Sequence, residues 1–214
     1  MRILVTAFEP FGGETINPAL EAVTLMKDEI AGAAISKLTV PTVFHKSIEK
    51  VYTAMNELRP DAVLCIGQAG GRYDITPERI AINIDDARIQ DNESNQPLDQ
   101  PIFPKGPAAY FSNLPVKAIV KTICDHGLPS SLSNSAGTFV CNHLMYGVLY
   151  YIEKEFPNMR GGFIHVPYIP CQVIGRSATT PSMALTDIVH GLELAVQAIA
   201  ENHTDISLVY GTIH

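Results

Sequence analysis

The segment Arg2-Ile3-Leu4-Val5-Thr6-Ala7-Phe8 is a short apolar run with β-branched residues, which is typical of a buried strand. Helical spacing follows over Pro18–Glu29, with Asn17 as a plausible N-cap and Pro18 at the first helical position. Ile35–Val40 then alternates as a second strand. Because a strand, a helix and a strand follow one another here, the chain favours a parallel sheet covered by helices.

The same alternation continues to the end of the chain. Helices are predicted at Lys46–Arg59, Lys117–His126, Cys141–Phe156 and Met183–Glu201, and strands at Asp61–Gly67, Arg79–Ile84, Ser131–Ser135 and Gly161–Val166. The prediction is therefore an α/β fold: a three-layer α/β/α sandwich with a largely parallel, mixed and twisted central sheet. At 214 residues, the chain is expected to form a single domain spanning residues 1–214.

One long segment interrupts the alternation, from Asp85 to Pro115. It is polar and contains five prolines: Pro97, Pro101, Pro104, Pro107 and Pro115. It also carries four larger apolar side chains: Ile102, Phe103, Tyr110 and Phe111. Because a structureless loop of this length is unusual inside a compact domain, we expect an ordered arm that shelters a cleft or joins subunits.

Composition and charge exclude several classes of partner. The chain has 15 Lys and Arg against 22 Asp and Glu, a net charge of −7, which argues against nucleic acid or an anionic membrane surface. No apolar run is long enough to span a bilayer, and the first residues lead directly into Glu9 and Pro10. We therefore predict a cytoplasmic protein.

No two of the four cysteines lie within two residues of each other, so the sequence has no paired-cysteine zinc or redox motif. In the reducing cytoplasm the four are predicted to be free thiols. We predict no metal site and no cofactor. Cys141 opens the helix that follows it, where the positive end of the helix dipole is expected to lower the thiol pKa. Cys171, in a loop after Pro170, is a competitor for reactivity. Cys65 and Cys124 are expected to be structural.

A thiolate nucleophile needs an imidazole base and a group that orients it. His165 ends the strand Gly161–Val166, at the sheet edge where functional groups collect in open α/β sheets. Glu78 is one candidate for the orienting acid, although it could equally form a surface ion pair with Arg79. Spacing alone leaves three other acids open: Asp85, Asp86 and Asp91.

Two glycine-rich turns follow predicted strands. Gly12-Gly13 matches neither the dinucleotide fingerprint nor a phosphate loop, so a tight turn is the simplest interpretation. The turn Gly67-Gln68-Ala69-Gly70-Gly71 would let the backbone approach a ligand closely.

Four motifs together resemble the pyroglutamyl peptidase type I family of cysteine peptidases. They are Phe8-Glu9-Pro10-Phe11-Gly12-Gly13 with Asn17-Pro18; Gly67-Gln68-Ala69-Gly70-Gly71-Arg72 through Glu78-Arg79; Ser135-Ala136-Gly137-Thr138-Phe139-Val140-Cys141-Asn142; and Phe163-Ile164-His165-Val166-Pro167. The resemblance covers nearly the whole chain. Ala7, Gln90 and Cys171 depart from the residues common in the family.

The resemblance implies a Glu, Cys, His triad, which falls on Glu78, Cys141 and His165. It also implies an α/β/α sandwich, a cytosolic location, release of N-terminal pyroglutamate from peptides, and assembly as a homo-oligomer, commonly a tetramer.

A substrate pocket follows from the same resemblance. Five apolar residues would bury the flat lactam ring: Phe8, Phe11, Ile89, Phe139 and Val140. Polar groups of Thr42 and Gln68 would pair with the lactam N–H and C=O, and Arg88 would help to stabilise the oxyanion. A free N-terminal Glu or Gln would be rejected, because its ammonium would be buried without a partner.

Two other functions fit a similar fold. One is a nucleoside-phosphorylase-like transferase, which would need a phosphate site and no Cys141. The other is a non-catalytic module that binds a small molecule in the same cleft.

Overall fold

A computed structural model describes residues 1–211. The strands are β1 (Arg2–Phe8), β2 (Glu29–Ile30), β3 (Ala33–Val40), β4 (Ala62–Gln68), β5 (Thr76–Glu78), β6 (Ile80–Ile82), β7 (Ala109–Phe111) and β8 (Arg160–Val166). The helices are α1 (Pro18–Leu25), α2 (Lys46–Leu58), α3 (Val116–Asp125), α4 (Val140–Glu155) and α5 (Leu185–Glu201), with a short 3-10 turn at Pro170–Val173.

Six strands form the central sheet, in the order β2-β3-β1-β4-β8-β5. The inner pairs β3–β1, β1–β4 and β4–β8 are parallel, whereas β2 and β5 are antiparallel edge strands. Strands β6 and β7 form a separate antiparallel ribbon. The predicted three-layer sandwich with a mixed, mainly parallel sheet is therefore confirmed.

Each face of the sheet has its own apolar core. Alternate residues of β1 divide between the two faces, so that Ile3 and Val5 pack with α1, α3 and α5 while Leu4 and Phe8 pack with α2 and α4. In β8, Phe163 belongs to the α2 and α4 face and Ile164 to the other. His165, two residues after Phe163, consequently shares the face on which α4 lies.

The first helix is shorter than predicted. It begins as expected, with Asn17 accepting a hydrogen bond from the Ala19 N–H and with Pro18 in the first turn, but it ends at Leu25. Glu29 and Ile30 then pair with β3 around Ala31 (φ 48°) and Gly32 (φ 73°). Because Ala31 and Gly32 both have a left-handed backbone conformation, they close a two-residue hairpin between β2 and β3. Strand β2 thus begins where the last turn of the predicted helix was expected.

Two strand predictions also change. Within the predicted strand Arg79–Ile84, only Ile80–Ile82 is a strand. This strand pairs with β7, which belongs to the predicted arm. Ser131–Ser135 is not a strand, since it makes only an isolated bridge between Ser133 and Glu78. The edge strand Thr76–Glu78 was not predicted, because its central Pro77 weakens the strand pattern and is tolerated only at a sheet edge.

Candidate active site

The site lies where β4 and β8 end side by side. Gly67 of β4 is the register partner of His165 of β8, so both lie at the carboxyl edge of the sheet. Gly67 also makes room for the nucleophile candidate. A Cβ at Gly67 would stand 2.7 Å from Cζ of Phe163 and 3.0 Å from Sγ of Cys141. The Cys141 thiol therefore lies against the β4 backbone, beside the strand that carries His165.

His165 is held by a buried carboxylate. Its Nδ1 lies 2.7 Å from Oε1 of Glu78, and the two residues are 4% and 0% exposed. Strand β5 delivers Glu78, because it pairs antiparallel with β8 through Thr76 and His165. With Nδ1–H donating to the carboxylate, the imidazole presents Nε2 as a base.

Arg72 completes this buried group. Its Nη1 donates to the same Oε1 of Glu78 at 2.6 Å and to Oγ1 of Thr76 at 2.5 Å, and its Nη2 donates to the Ser135 carbonyl at 3.1 Å. Burial alone would raise the pKa of Glu78, but the hydrogen bond from His165 and the charges of His165 and Arg72 lower it below its ordinary value. Glu78 is therefore an anion beside His165.

Cys141 is the second residue of α4, after the N-cap Phe139. The expected low thiol pKa is wrong for this structure. Burial, and then the negative charge of Glu78, raise the pKa of Cys141 to about 12, against a lowering by Arg72. A raised pKa keeps the Cys141 thiol mainly protonated at neutral pH.

A cavity of about 460 Å³ opens over these groups. Cys141 and His165 contribute to its wall, together with Phe11, Gly12, Glu14, Gln68, Gly70, Asp86, Arg88, Ile89, Ala136, Thr138, Phe139, Tyr168 and Arg176. The rings of Phe11 and Phe139 lie 6.2 Å apart and are tilted by 40°, so one side of the wall is aromatic. The cavity thus combines a thiol, an imidazole and an apolar surface of the size that accepts a small ring.

Residues 1–202 match the family model for pyroglutamyl peptidase. The chain belongs to the pyroglutamyl peptidase family. It is 59% identical over 213 residues to a pyrrolidone-carboxylate peptidase of Clostridium perfringens and 58% identical over 215 residues to pyrrolidone-carboxylate peptidase 1 of Streptococcus pneumoniae; each match covers 100% of both chains. The resemblance predicted from the four motifs is confirmed.

Solved pyroglutamyl peptidase structures share the fold. Pyroglutamyl peptidase I of Bacillus amyloliquefaciens is 50% identical and aligns with a TM-score of 0.92, over 96% of this chain and 99% of that one. The pyrrolidone carboxyl peptidase of Thermococcus litoralis is 36% identical, with a TM-score of 0.93 over 97% of this chain and 99% of that one.

The pyroglutamyl peptidase pocket predicted above is only partly at the cavity surface. Phe11, Gln68, Arg88, Ile89 and Phe139 line the cavity. The other three predicted residues do not: Phe8, Thr42 and Val140. Each of these three is at most 3% exposed.

These three residues support the wall from behind. Phe8 packs 6.3 Å from the Phe163 ring, and Thr42 uses its Oγ1 to donate to the Glu9 carbonyl at 2.8 Å. Val140 belongs to the core beneath α4. Any contact of Phe8 or Val140 with a bound ring would require the cavity wall to move.

Of the three competing acids, Asp86 lines the cavity, but the Nδ1 of His165 faces Glu78 instead. The other two acids have different surroundings. Asp85 faces His143, and Asp91 accepts from the backbone N–H groups of Phe44, Glu93 and Asn95. Arg79 is not the partner of Glu78; its guanidinium donates to the Tyr210 carbonyl at 3.5 Å. The remaining cysteines lie away from this cavity wall. Cys65 is fully buried, and Cys124 and Cys171 are exposed.

The two residues after Cys141 fix α4 to the segment 82–85, which leads into the arm. Asn142, 0% exposed, accepts from the Ile82 N–H at 2.9 Å and donates to the carbonyls of Ile82 and Ile84 at 2.9 and 3.0 Å. His143 pairs with Asp85 at 2.8 Å and accepts from the His45 N–H at 2.8 Å. The first turn of α4 is thereby locked to the segment that brings Arg88 and Ile89 to the cavity.

Several cavity residues were missed from the sequence. Gly70 lies in a motif that was quoted, but the sequence does not show that a Cβ there would meet the Tyr168 ring. Arg72, in the same motif but behind the cavity lining, was missed as the partner of Glu78. Glu14, Tyr168 and Arg176 carried no pattern. Arg176 ion-pairs with Glu14 and lies 4.6 Å above the Tyr168 ring, which joins two loops at the cavity.

Two further classes of site were tested against the described part of the chain. Among residues 1–211, no group of three His, Cys, Asp or Glu residues is placed to hold a metal ion. No helix within those residues is long and apolar enough to cross a bilayer.

Proposed function

We propose that the cavity binds the N-terminal pyroglutamyl group of a peptide and that Cys141, His165 and Glu78 hydrolyse the bond that follows it. The observation that carries this proposal is the buried pair of Glu78 and His165 in the wall of a cavity that also contains the Cys141 thiol. Family membership supplies the reaction class, and this geometry supplies a nucleophile, a base and an orienting carboxylate.

The first step is attack by sulfur. Nε2 of His165 removes the Cys141 proton as Sγ attacks the carbonyl carbon of the pyroglutamyl residue. The high pKa of the thiol favours this coupled transfer over a thiolate formed in advance. Glu78 stabilises the imidazolium and fixes its tautomer through Nδ1.

The intermediate then collapses to a thioester. His165 donates its proton to the leaving amine, and the shortened peptide departs. Water, deprotonated by His165, attacks the thioester carbonyl and releases pyroglutamate with the Cys141 thiol restored. Backbone N–H groups at the start of α4 and the guanidinium of Arg88 are the proposed donors to the oxyanion.

Specificity is proposed to come from the aromatic side of the wall. Phe11, Ile89 and Phe139 would cover the flat lactam, with Phe8 and Val140 supporting them from the core. Gln68 would serve the polar atoms of the lactam through its side chain or backbone, while Thr42 holds the Glu9 carbonyl behind the wall. A free N-terminal Glu or Gln would bring an ammonium group into this surface. Burying it without a partner costs several kcal/mol, about 2–7 for a polar group and more for a charge, so such peptides are rejected.

The test is hydrolysis of a pyroglutamyl amide compared with glutaminyl and prolyl amides that carry the same leaving group. Turnover of the pyroglutamyl compound alone, lost on alkylation of Cys141 and unchanged by a chelator, is the expected result. Phosphate-dependent cleavage of a nucleoside would support the transferase instead, and tight lactam binding without turnover would support a binding module.

We also propose that the chain is a single domain that assembles as a homotetramer in the cytoplasm. The arm at 85–115 supports assembly, because Leu98 is 66% exposed and Phe111 is 68% exposed on the outside of the protomer. Sedimentation of the intact protein as a 23.3 kDa monomer, with rapid proteolysis inside the arm, would contradict this assembly. Cell fractionation tests the location, and a single unfolding transition tests the domain.

A further inference from the structure

A buried glutamine beside the cavity, Gln172, takes no part in the chemistry described so far. It lies in the 3-10 turn Pro170–Val173 and is 8% exposed. Its Nε2 donates to Oε1 of Gln68 at 2.9 Å, and its Oε1 accepts from the Ile169 N–H at 3.1 Å. Gln68 is one of the residues that line the cavity.

The orientation of both amides follows from the backbone. A backbone N–H can only donate, so the atom of Gln172 that faces Ile169 must be the oxygen. The nitrogen of Gln172 then faces Gln68, and its partner there must be the Gln68 oxygen. The Gln68 oxygen therefore has a donor partner. The Gln68 Nε2 has no acceptor within residues 1–211 and is not one of the buried unpartnered atoms, so it is accessible to a ligand as a donor.

The turn that carries Gln172 is itself held in place. The Arg176 Nε donates to the Gln172 carbonyl at 2.7 Å, and the Arg176 guanidinium ion-pairs with Glu14 across the cavity wall. The Gln172 N–H donates in turn to the Ile169 carbonyl at 3.0 Å. Rotation of the Gln172 amide would break its hydrogen bonds to Ile169 and Gln68. Losing these bonds costs more free energy at a buried site than at an exposed one, because the groups cannot bond to water instead.

The pyroglutamyl group offers two carbonyl oxygens to such a donor. The scissile carbonyl must lie at Sγ of Cys141, with its own donors at the start of α4. The lactam carbonyl is the other, and it is the atom that distinguishes pyroglutamate from proline. We propose that Gln172 is a positioning residue for specificity: it holds the Gln68 amide so that Nε2 donates to the lactam carbonyl. This inference rests on the proposed function.

The decisive variant is Gln172→Glu, which keeps the shape of the side chain but cannot donate to Gln68 as a carboxylate. The Gln68 amide then turns so that its nitrogen faces position 172 and its oxygen faces the lactam carbonyl. Gln172→Met removes both interactions and leaves Gln68 free to rotate. Gln197→Glu, on α5 and outside the cavity, makes the same chemical change as a control.

The first experiment measures binding of 2-pyrrolidone, the bare lactam, by calorimetry in a Cys141→Ser background. The added Gln172→Glu substitution is expected to weaken binding about tenfold or more, Gln172→Met to weaken it less, and Gln197→Glu to leave it unchanged. Parent affinity in a folded Gln172→Glu protein, or in Gln172→Met if the former fails to fold, would overturn the inference. If the Cys141→Ser protein binds the lactam, the proposed function stands even where the role of Gln172 is refuted. If the Cys141→Ser protein binds no lactam, both the proposed function and the role of Gln172 are contradicted.

The second experiment measures kinetics with Cys141 present. If Gln172 only supports the fold, its loss should lower kcat and thermal stability together. If it orients Gln68, KM for a pyroglutamyl amide should rise about tenfold while kcat changes less than threefold. Equal KM values in wild type and Gln172→Glu would contradict the orienting role.

Discussion

Sγ of Cys141 lies only 3.0 Å from the point where a Cβ on Gly67 would stand, so the strand backbone itself forms the floor beneath the thiol. The same Cβ would stand 2.7 Å from Cζ of Phe163. Gly67→Ala should therefore push the ring and the sulfur aside and lower kcat/KM by at least tenfold, with about 1–3 kcal/mol of stability lost. Kinetics and urea unfolding measure the two effects. Gly211→Ala, which meets nothing within 4 Å, is the matched control and should change neither.

Cys141 is predicted to be the nucleophile rather than Cys171. Cys141→Ser should lower kcat by about 10³-fold or more, since a missing nucleophile removes most of the benefit of the triad. Cys171→Ser, at an exposed site, should retain most activity. Unfolding curves for both should stay within about 1 kcal/mol of wild type. Activity that survives in Cys141→Ser but not in Cys171→Ser would assign the nucleophile to the loop thiol.

In the free enzyme, the Cys141 thiol should lose its proton only at strongly alkaline pH. Because burial and the Glu78 charge raise the pKa of Cys141 to about 12, the thiolate fraction keeps rising throughout the alkaline range. The rate of Cys141 alkylation by iodoacetamide should accordingly increase steadily from neutral pH to pH 9, with Cys124→Ser and Cys171→Ser combined to remove the two exposed thiols. A rate that is already constant at neutral pH would indicate a preformed thiolate–imidazolium pair.

Glu78→Gln should separate turnover from binding. The amide can still face Nδ1 of His165, but it lacks the charge that stabilises the imidazolium. We expect kcat to fall at least a hundredfold with little change in lactam affinity. Unaltered kcat would make Glu78 a purely structural partner of Arg72.

Arg72→Met should shift the acid stability of the protein. The pKa of Glu78 is lowered from 4.5 in the fold, so between these values the unfolded chain binds more protons than the folded one. The stability that Glu78 contributes is complete above about pH 4.5 and is lost as pH falls through the lowered pKa. Without Arg72 the folded-state pKa of Glu78 rises toward 4.5, so Glu78 should contribute less stability above pH 4.5, and the loss of that smaller contribution should be complete at a higher pH.

Urea unfolding from neutral pH down through pH 4.5 measures that shift. Arg79→Met is the control, because the Arg79 guanidinium donates to the Tyr210 carbonyl and not to Glu78. Superimposable stability profiles for Arg72→Met and Arg79→Met would show that Arg72 does not set the pKa of Glu78.

The layers of the fold were predictable because their cause is local. A strong apolar run such as Arg2–Phe8 is stable only as a strand buried between layers of helices. Helix α4 is apolar on nearly every side, which indicates that it is buried as well. Strand β5 was missed because three residues with a central proline gain their strand geometry from pairing with β8. The Ala31-Gly32 hairpin was missed because a helical pattern runs into it without interruption.

The site shows the same difference between features set by local sequence, which could be predicted, and features set by tertiary structure, which could not. His165 and Cys141 could be found from their places at a strand end and a helix start. The thiol pKa could not, because it depends on how deeply the sulfur is buried and on the charge of Glu78, and both are set by tertiary structure. Arg72 was hidden for the same reason: Arg79 is nearer to Glu78 in sequence, whereas the fold brings Arg72 to it.

The hydrogen bonds of Asn142 limit where residues can be inserted into or deleted from this chain. Surface loops normally accept insertions and deletions because little depends on their exact path. Here the side chain next to Cys141 takes both backbone groups of Ile82 and the carbonyl of Ile84, as a neighbouring strand would. Adding or removing one residue there would move α4 or leave these peptide groups unpaired. Homologous chains should therefore vary in length elsewhere and keep a constant count between Glu78 and Asp85.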